Sequence, residues 1–186
     1  MKTYFTSDSH FGHVGILSSR MARPRPFASI EEHDEALIAA WNNRVRPDDE
    51  VWHLGDFAYG ASAAHCRAVF SRLNGRKHLI RGNHDAGRTT SLPWYSQHER
   101  AEPVVEGRRL VLDHYAQRTW NRIHHGALHL YGHSHGSLPG CGRSLDVGVD
   151  CWDWRPVRLS EILEAMATDG ARAGMPAVVA ALAEAA

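Results

Sequence analysis

Apolar positions along the chain come in short runs, and a polar or glycine-bearing cluster stops each one. Residues 2–6 read as a strand that ends in Ser7-Asp8-Ser9-His10. Residues 51–54 read as a second strand, stopped by Gly55-Asp56, and residues 77–80 as a third, ended by Gly82-Asn83-His84-Asp85. Between them the period changes. In residues 31–44, Ala36, Leu37, Ala40 and Trp41 share one helical face. Ser29, with Glu32 three residues on, spells a capping box ahead of it. Residues 62–73 predict a second helix, ended by Asn74-Gly75.

The second half is mostly strands. Residues 102–106 and 108–113 predict a hairpin around Glu106-Gly107, with further strands at 128–131, 144–149 and 156–159 and a short helix after Ser160. The alanine-rich residues 171–186 read as a C-terminal tail in which Pro176 could open a short helix. Strand–helix alternation followed by strands predicts an α/β (α+β) fold, two packed sheets flanked by helices. At 186 residues the chain is near the length of one domain, placed here over residues 1–170.

Composition narrows the classes. An apolar fraction of 43% and a charged fraction of 23% exclude a disordered chain or a collagen. A net charge of zero gives no basic field to draw the chain to duplex nucleic acid or to a membrane surface, so neither is an expected partner. Cys66, Cys141 and Cys151 form no CxxC pair, and no disulfide is expected. With no signal core before the polar residues at the N-terminus, the expected location is the cytoplasm. Histidine is the unusual residue: there are 14, against 16 glycines. It is both the commonest metal ligand and the usual acid or base near neutral pH.

The polar clusters sit beyond the ends of the predicted strands. Asp8-x-His10, Gly55-Asp56, Gly82-Asn83-His84-Asp85, Asp113-His114 and Gly132-His133-Ser134-His135 each follow one. Carboxyl ends of strands are where ligands bind in α/β sheets, so five segments bring Asp, Asn and His to one edge. Each cluster alone has an ordinary reading as a turn or cap. Together they point to a metal site.

In this order the clusters resemble the blocks D-x-H, G-D, G-N-H-D/E, H and G-H-x-H of the calcineurin-like metallophosphoesterases. Residues 5–13, 52–57, 73–77, 81–85, 130–136 and 145–150 are further similar to a small bacterial and phage branch, and the likeness spans residues 2–165. Asp113-His114-Tyr115-Ala116 departs from that branch, which reads Ser-His-Tyr-Pro there.

The resemblance implies a four-layer α-β-β-α sandwich and two metals sharing a carboxylate. Asp8, His10, Asp56 and His135 would hold the first, and Asp56, Asn83, His114 and His133 the second. It implies hydrolysis of phosphate esters by in-line attack of a bridging hydroxide, with His84 donating a proton to the leaving group and Asp56 or Asp85 holding its imidazolium. A mixed nitrogen and oxygen donor set suits transition metals better than Mg²⁺. Mn²⁺ is favoured, with Fe²⁺, Zn²⁺, Ni²⁺ and Co²⁺ open.

The expected partner is a small phosphoester, with nucleotides in the class, and diesters are favoured over monoesters. The alternatives are a phosphomonoesterase and a non-catalytic binding protein of the same fold. Three further residues are candidates for substrate contact. His13 lies near His10, with a supporting role equally open; Arg25 stands in Arg25-Pro26-Phe27; Trp120 could stack on a base or simply pack its loop. Arg20 and Arg23 belong to the same basic loop as Arg25, and Arg20 reads as surface. Asn121, His124 and His125 accompany Trp120. His33, His65, His78 and His98 read as ordinary surface or core histidines.

Overall fold

The structure, a computed structural model, describes residues 1–172, so Pro176 and nearly all of the predicted tail lie outside the described residues. Four parallel strands form most of the first sheet: β1 (Thr3–Thr6), β2 (Glu50–His53), β3 (Arg76–Ile80) and β4 (Ser96–His98). The helices α1 (Ile30–Asn42), α2 (Ala63–Arg72) and the short α3 (Gly87–Thr90) fall between them in the chain. The second sheet is built around β7 (Arg108–Asp113), which pairs antiparallel with β5 (Arg100–Ala101) and β6 (Val104–Val105). On its other side follow the parallel strands β8 (Leu128–Tyr131) and β9 (Ser144–Asp146). The strand β10 (Val157–Arg158) returns antiparallel to β1, and α4 (Leu159–Arg172) ends the described chain.

The strand period sorts the apolar residues between two cores. Tyr4, Val51 and Leu79 face one way and join α1 and α2 through Leu37, Ile38, Trp41, Val69 and Phe70. Their neighbours Phe5, Trp52 and Ile80 face the second sheet, where Leu110, Leu112, Leu128, Leu130 and Leu145 meet them. Leu159, Ile162 and Met166 of α4 close this inter-sheet core. The outer face of the second sheet carries the 114–127 loop, in which Gln117 donates its backbone N–H to His129 Nε2 at 2.9 Å.

Local chemistry sets the boundaries. Ser29 accepts from Glu32 N at 3.2 Å, while the Glu32 carboxylate reaches back to Ala28 N at 2.7 Å, one residue before the expected partner. Glu106 and Gly107 take positive φ values of 50° and 76°, which matches the twist of a tight hairpin. Of the strand expected over residues 102–106 only Val104–Val105 pairs, as β6 with one end of β7, after Pro103, which has no N–H to give; β5, just before that span, pairs with the other end of β7. The strand expected over 144–149 stops at Asp146. Beyond it Gly148 bridges to Ser7, so the two sheets are joined where β1 and β9 end.

Candidate metal centre

That junction is where the polar clusters collect. The turn after β1 runs alongside the turn after β2, with Asp8 N donating to Gly55 O at 2.9 Å and His10 N to Asp56 O at 3.0 Å. The turn after β8 is drawn in by Asp8, whose carboxylate accepts from His133 N at 2.9 Å. Such close approach requires glycine. A Cβ on Gly132 would stand 2.0 Å from Ser7 Oγ, and one on Gly82 would stand 2.3 Å from Asp56 Oδ1.

The backbone is forced at the same points. Asp8, His10, Asp56, His133 and His135 all have φ between 47° and 65°, a region that costs a side-chain-bearing residue roughly 1–2 kcal/mol. The strain aims all five side chains at one place.

Two clusters result. Asp8, His10 and His135 place one ligand atom each within 4.8 Å of one another, and Asp56, His114 and His133 do the same. Asp56 links them: its Oδ2 lies 3.7 Å from His10 Nε2 and 3.5 Å from His114 Nε2. Asn83 Oδ1 stands 3.0 Å from His114 Nε2, beside the second cluster. All seven residues expected as ligands are therefore brought together.

The donors also fit a cation. Both ring nitrogens of His10 are buried without a hydrogen-bond partner. Burial, and next Arg25, holds its pKa well below the ordinary value, so the ring is neutral as a ligand must be. Burial pushes Asp8 up to about 7, the response of a carboxylate enclosed without a countercharge. Burial opposes protonation of His114 too, but its contact with Asp56 outweighs that and raises it to about 9. An imidazolium there supplies positive charge that a divalent ion would replace.

Among the non-ligands, His84 holds its ring 4.2 Å from Tyr59 and 5.5 Å from His10, with its side chain one-third exposed at 33%. Its Nε2 lies 3.9 Å from Asp56 Oδ2, and its backbone N–H donates to Asp56 Oδ1 at 2.9 Å. His13 also packs against Tyr59, 4.7 Å between ring centres, and lies 5.2 Å from His10.

Two expectations are corrected, and of the two readings of Trp120 the loop-packing one is observed. Asp85 does not hold the His84 ring: its oxygens accept from the backbone N–H groups of Asp56, Phe57 and Gly82, tying the second and third strand ends together. Burial raises its pKa to about 6, against those three bonds. Arg25 is not a substrate contact, since it is buried and all five of its N–H groups have partners inside the protein. Arg20 and Arg23 of the same loop are exposed, and Arg23 donates to Gly136 O beside His135 at 2.9 Å. Trp120 packs its own loop, with Nε1 donating to Ala127 O at 2.9 Å and its ring 5.4 Å from His129.

Sequence reasoning also passed over some residues. His33, expected to be ordinary, is fully buried against Arg25, and Asp150 accepts from His135 Nδ1 at 2.8 Å. Tyr59 and Tyr115 flank the centre half-exposed, with Tyr115 4.7 Å from the His133 ring. Asp150 and Tyr115 had a signal, the one as the last residue of the 145–150 segment and the other as the Tyr kept in Asp113-His114-Tyr115-Ala116; Tyr59 had none.

The comparisons agree with this geometry. The family model described as the calcineurin-like phosphoesterase superfamily domain matches residues 1–143. An uncharacterized protein of Methanocaldococcus jannaschii is 31% identical over 173 residues, covering 88% of this chain and 90% of that protein. The gene 66 protein of Mycobacterium phage D29 is 32% identical over 181 residues, covering 80% and 88%. A crystal structure from Aquifex aeolicus, of a protein described as of unknown function, shares the fold at a TM-score of 0.69 and 23% identity, covering 87% of this chain and 97% of its own. No helix among the described residues is long and apolar enough to cross a membrane.

Proposed function

The chain belongs to the calcineurin-like phosphoesterase superfamily, and on that premise we propose that it is a two-metal phosphoesterase acting on small phosphate esters, with diesters favoured over monoesters. The observation that carries this is Asp56 Oδ2, within 3.7 Å of a histidine nitrogen from each cluster, so that one carboxylate oxygen serves both. Bound there, two divalent ions would supply Lewis acidity toward the phosphoryl oxygens and bring the pKa of a water down toward neutrality. Imidazole, carboxamide and carboxylate donors together favour Mn²⁺, with Fe²⁺, Zn²⁺, Ni²⁺ and Co²⁺ also accepted, over Mg²⁺.

The remaining work belongs to the chain. Using neutral His and Asn for five of the seven ligands limits the negative charge facing an anionic phosphoester. His84 takes part without being a ligand: one-third exposed and held against Tyr59, it gives a proton to the departing alkoxide in this reading. Asp56 Oδ2 lies close enough to steady the ring's charge before transfer. Tyr59 and Tyr115 stand as two half-exposed walls, and a phosphodiester has a second substituent for them to hold. With nothing basic in the net charge, a small ester or nucleotide suits this site better than duplex nucleic acid.

The test compares kcat/KM for bis-p-nitrophenyl phosphate and p-nitrophenyl phosphate under each metal, then for cyclic nucleotides. A diester preference is the expected result. A monoester preference in every metal would make the protein a phosphatase, and inactivity on all of them with metal bound would make it a binding protein.

A further inference from the structure

Arg25 spends every donor it has, and the acceptors lie on one side of the centre. Its Nε and one terminal nitrogen grip the two oxygens of Asp150 at 3.0 and 2.8 Å. The same terminal nitrogen donates to Asp8 O at 2.6 Å, and the other to Ser9 O at 2.9 Å. The fifth bond runs to His33 Nε2 at 2.8 Å, and His33 Nδ1 faces Asp34 Oδ1 at 2.8 Å. A ring that gives its Nδ1 proton to Asp34 leaves Nε2 free to accept from Arg25. Asp150 Oδ2 then faces His135 Nδ1 at 2.8 Å.

Every member of the first cluster is therefore held by one guanidinium: Asp8 through its own carbonyl, His10 through the preceding carbonyl, His135 through Asp150. Among the described residues the second cluster has no such hub. His114 Nδ1 rests on Leu54 O at 2.8 Å, and His133 is exposed. We infer that Arg25 and Asp150 are positioning residues for the first metal alone, fixing the strained turn of Asp8 and His10 and keeping the His135 proton on Nδ1 so that Nε2 faces the ion. A carboxylate behind a ligating imidazole sets its tautomer and orientation in this way, and losing it typically costs about 10–100-fold in metal affinity. The inference rests on the reading that these clusters bind ions.

The test is calorimetric titration of the metal-free full chain with Zn²⁺ and with Mn²⁺. Asp150→Asn and Arg25→Lys should each weaken one of the two binding steps by about 10–100-fold and leave the other within about twofold. Adding Asp150→Asn to His135→Ala should then change little, whereas adding it to His114→Ala should weaken the step that His114→Ala leaves intact, so that both are weak in the double variant. The zinc-loaded wild-type protein gives a readout that needs no variant: nitrogen-15 NMR should show the His135 proton on Nδ1. A proton on Nε2, or two steps that weaken together in Asp150→Asn, would overturn the inference and leave the two-metal reading intact. A wild-type chain that takes up no ion would overturn both.

Discussion

The two ligand clusters each take two histidines around Asp56, with Asp8 completing the first and Asn83 beside the second, yet they differ most in how they are held. Asp8, His10 and His135 sit over a buried bed in which each is tied, directly or through one neighbour, to Arg25. In the second cluster Asp56 and His114 are buried, but His133 lies open to solvent under Tyr115. Similar donor sets in unequal settings, with the extra carboxylate on the enclosed side, predict unequal ions. The enclosed one should be tight and slow to exchange, and the open one weaker and faster, with substrate reaching the open side.

The harshest way to break this comparison is to remove what the clusters share. Asp56→Asn should lower occupancy at both sites and reduce kcat/KM by more than the roughly 10–100-fold that losing a supporting group costs, as read by metal analysis and steady-state rates. Occupancy unchanged at either site would end the shared-ligand reading. His84→Ala separates chemistry from metal holding. It should keep both ions and lose about 10²–10⁴ in kcat on alkyl esters, with a smaller loss on p-nitrophenyl esters, whose leaving group needs no proton. Equal losses across leaving groups would give His84 another role.

Timed chelation sharpens the difference directly. One equivalent of metal should leave quickly and the other slowly, and His133→Ala should abolish only the fast phase. A single phase for both would make the clusters equivalent. A further effect concerns the floor beneath the first cluster, where His53 Nε2 meets Ser9 Oγ at 2.8 Å. Burial holds His53 down to about 3, so the folded ring stays neutral while the unfolded one takes a proton below about 6.5. Its share of stability is whole above that value and is lost as pH falls toward 3, with a slope of at most about 1.4 kcal/mol per pH unit. Urea midpoints across this window should fall less steeply in His53→Gln than in the wild type.

What could be read in advance follows a physical line. Strand ends followed by glycine and polar residues are local features, so the seven candidate ligands stood out one turn at a time. The short α3 and the polar Ser96-Gln97-His98 of β4 carry neither period, and the expectation over residues 81–101 named no element there. Partners far apart in sequence were hidden in a different way. Arg25 and Asp150 are 125 residues apart, and only the fold shows that the arginine's donors are already used. Trp120 had a stacking face in the sequence and a hydrogen bond to Ala127 in the structure. Asp85 looked like a partner for its neighbour His84, yet its backbone bonds cross to another strand end.

The left-handed backbone at Asp8, His10, Asp56, His133 and His135 has a consequence for anyone redesigning this centre. Alanine is the usual blank for a ligand, but at these positions it keeps the conformational penalty while discarding the group that justified it. Glycine removes both. Asp8→Gly should therefore melt higher than Asp8→Ala, by the equivalent of roughly 1 kcal/mol. Thermal melts of the two metal-free variants would show whether the turn resists its own shape. If it does, the family's reactive edge is a spring kept bent by the sheets beneath it, and a scaffold stripped of its chemistry would be steadier than the working enzyme.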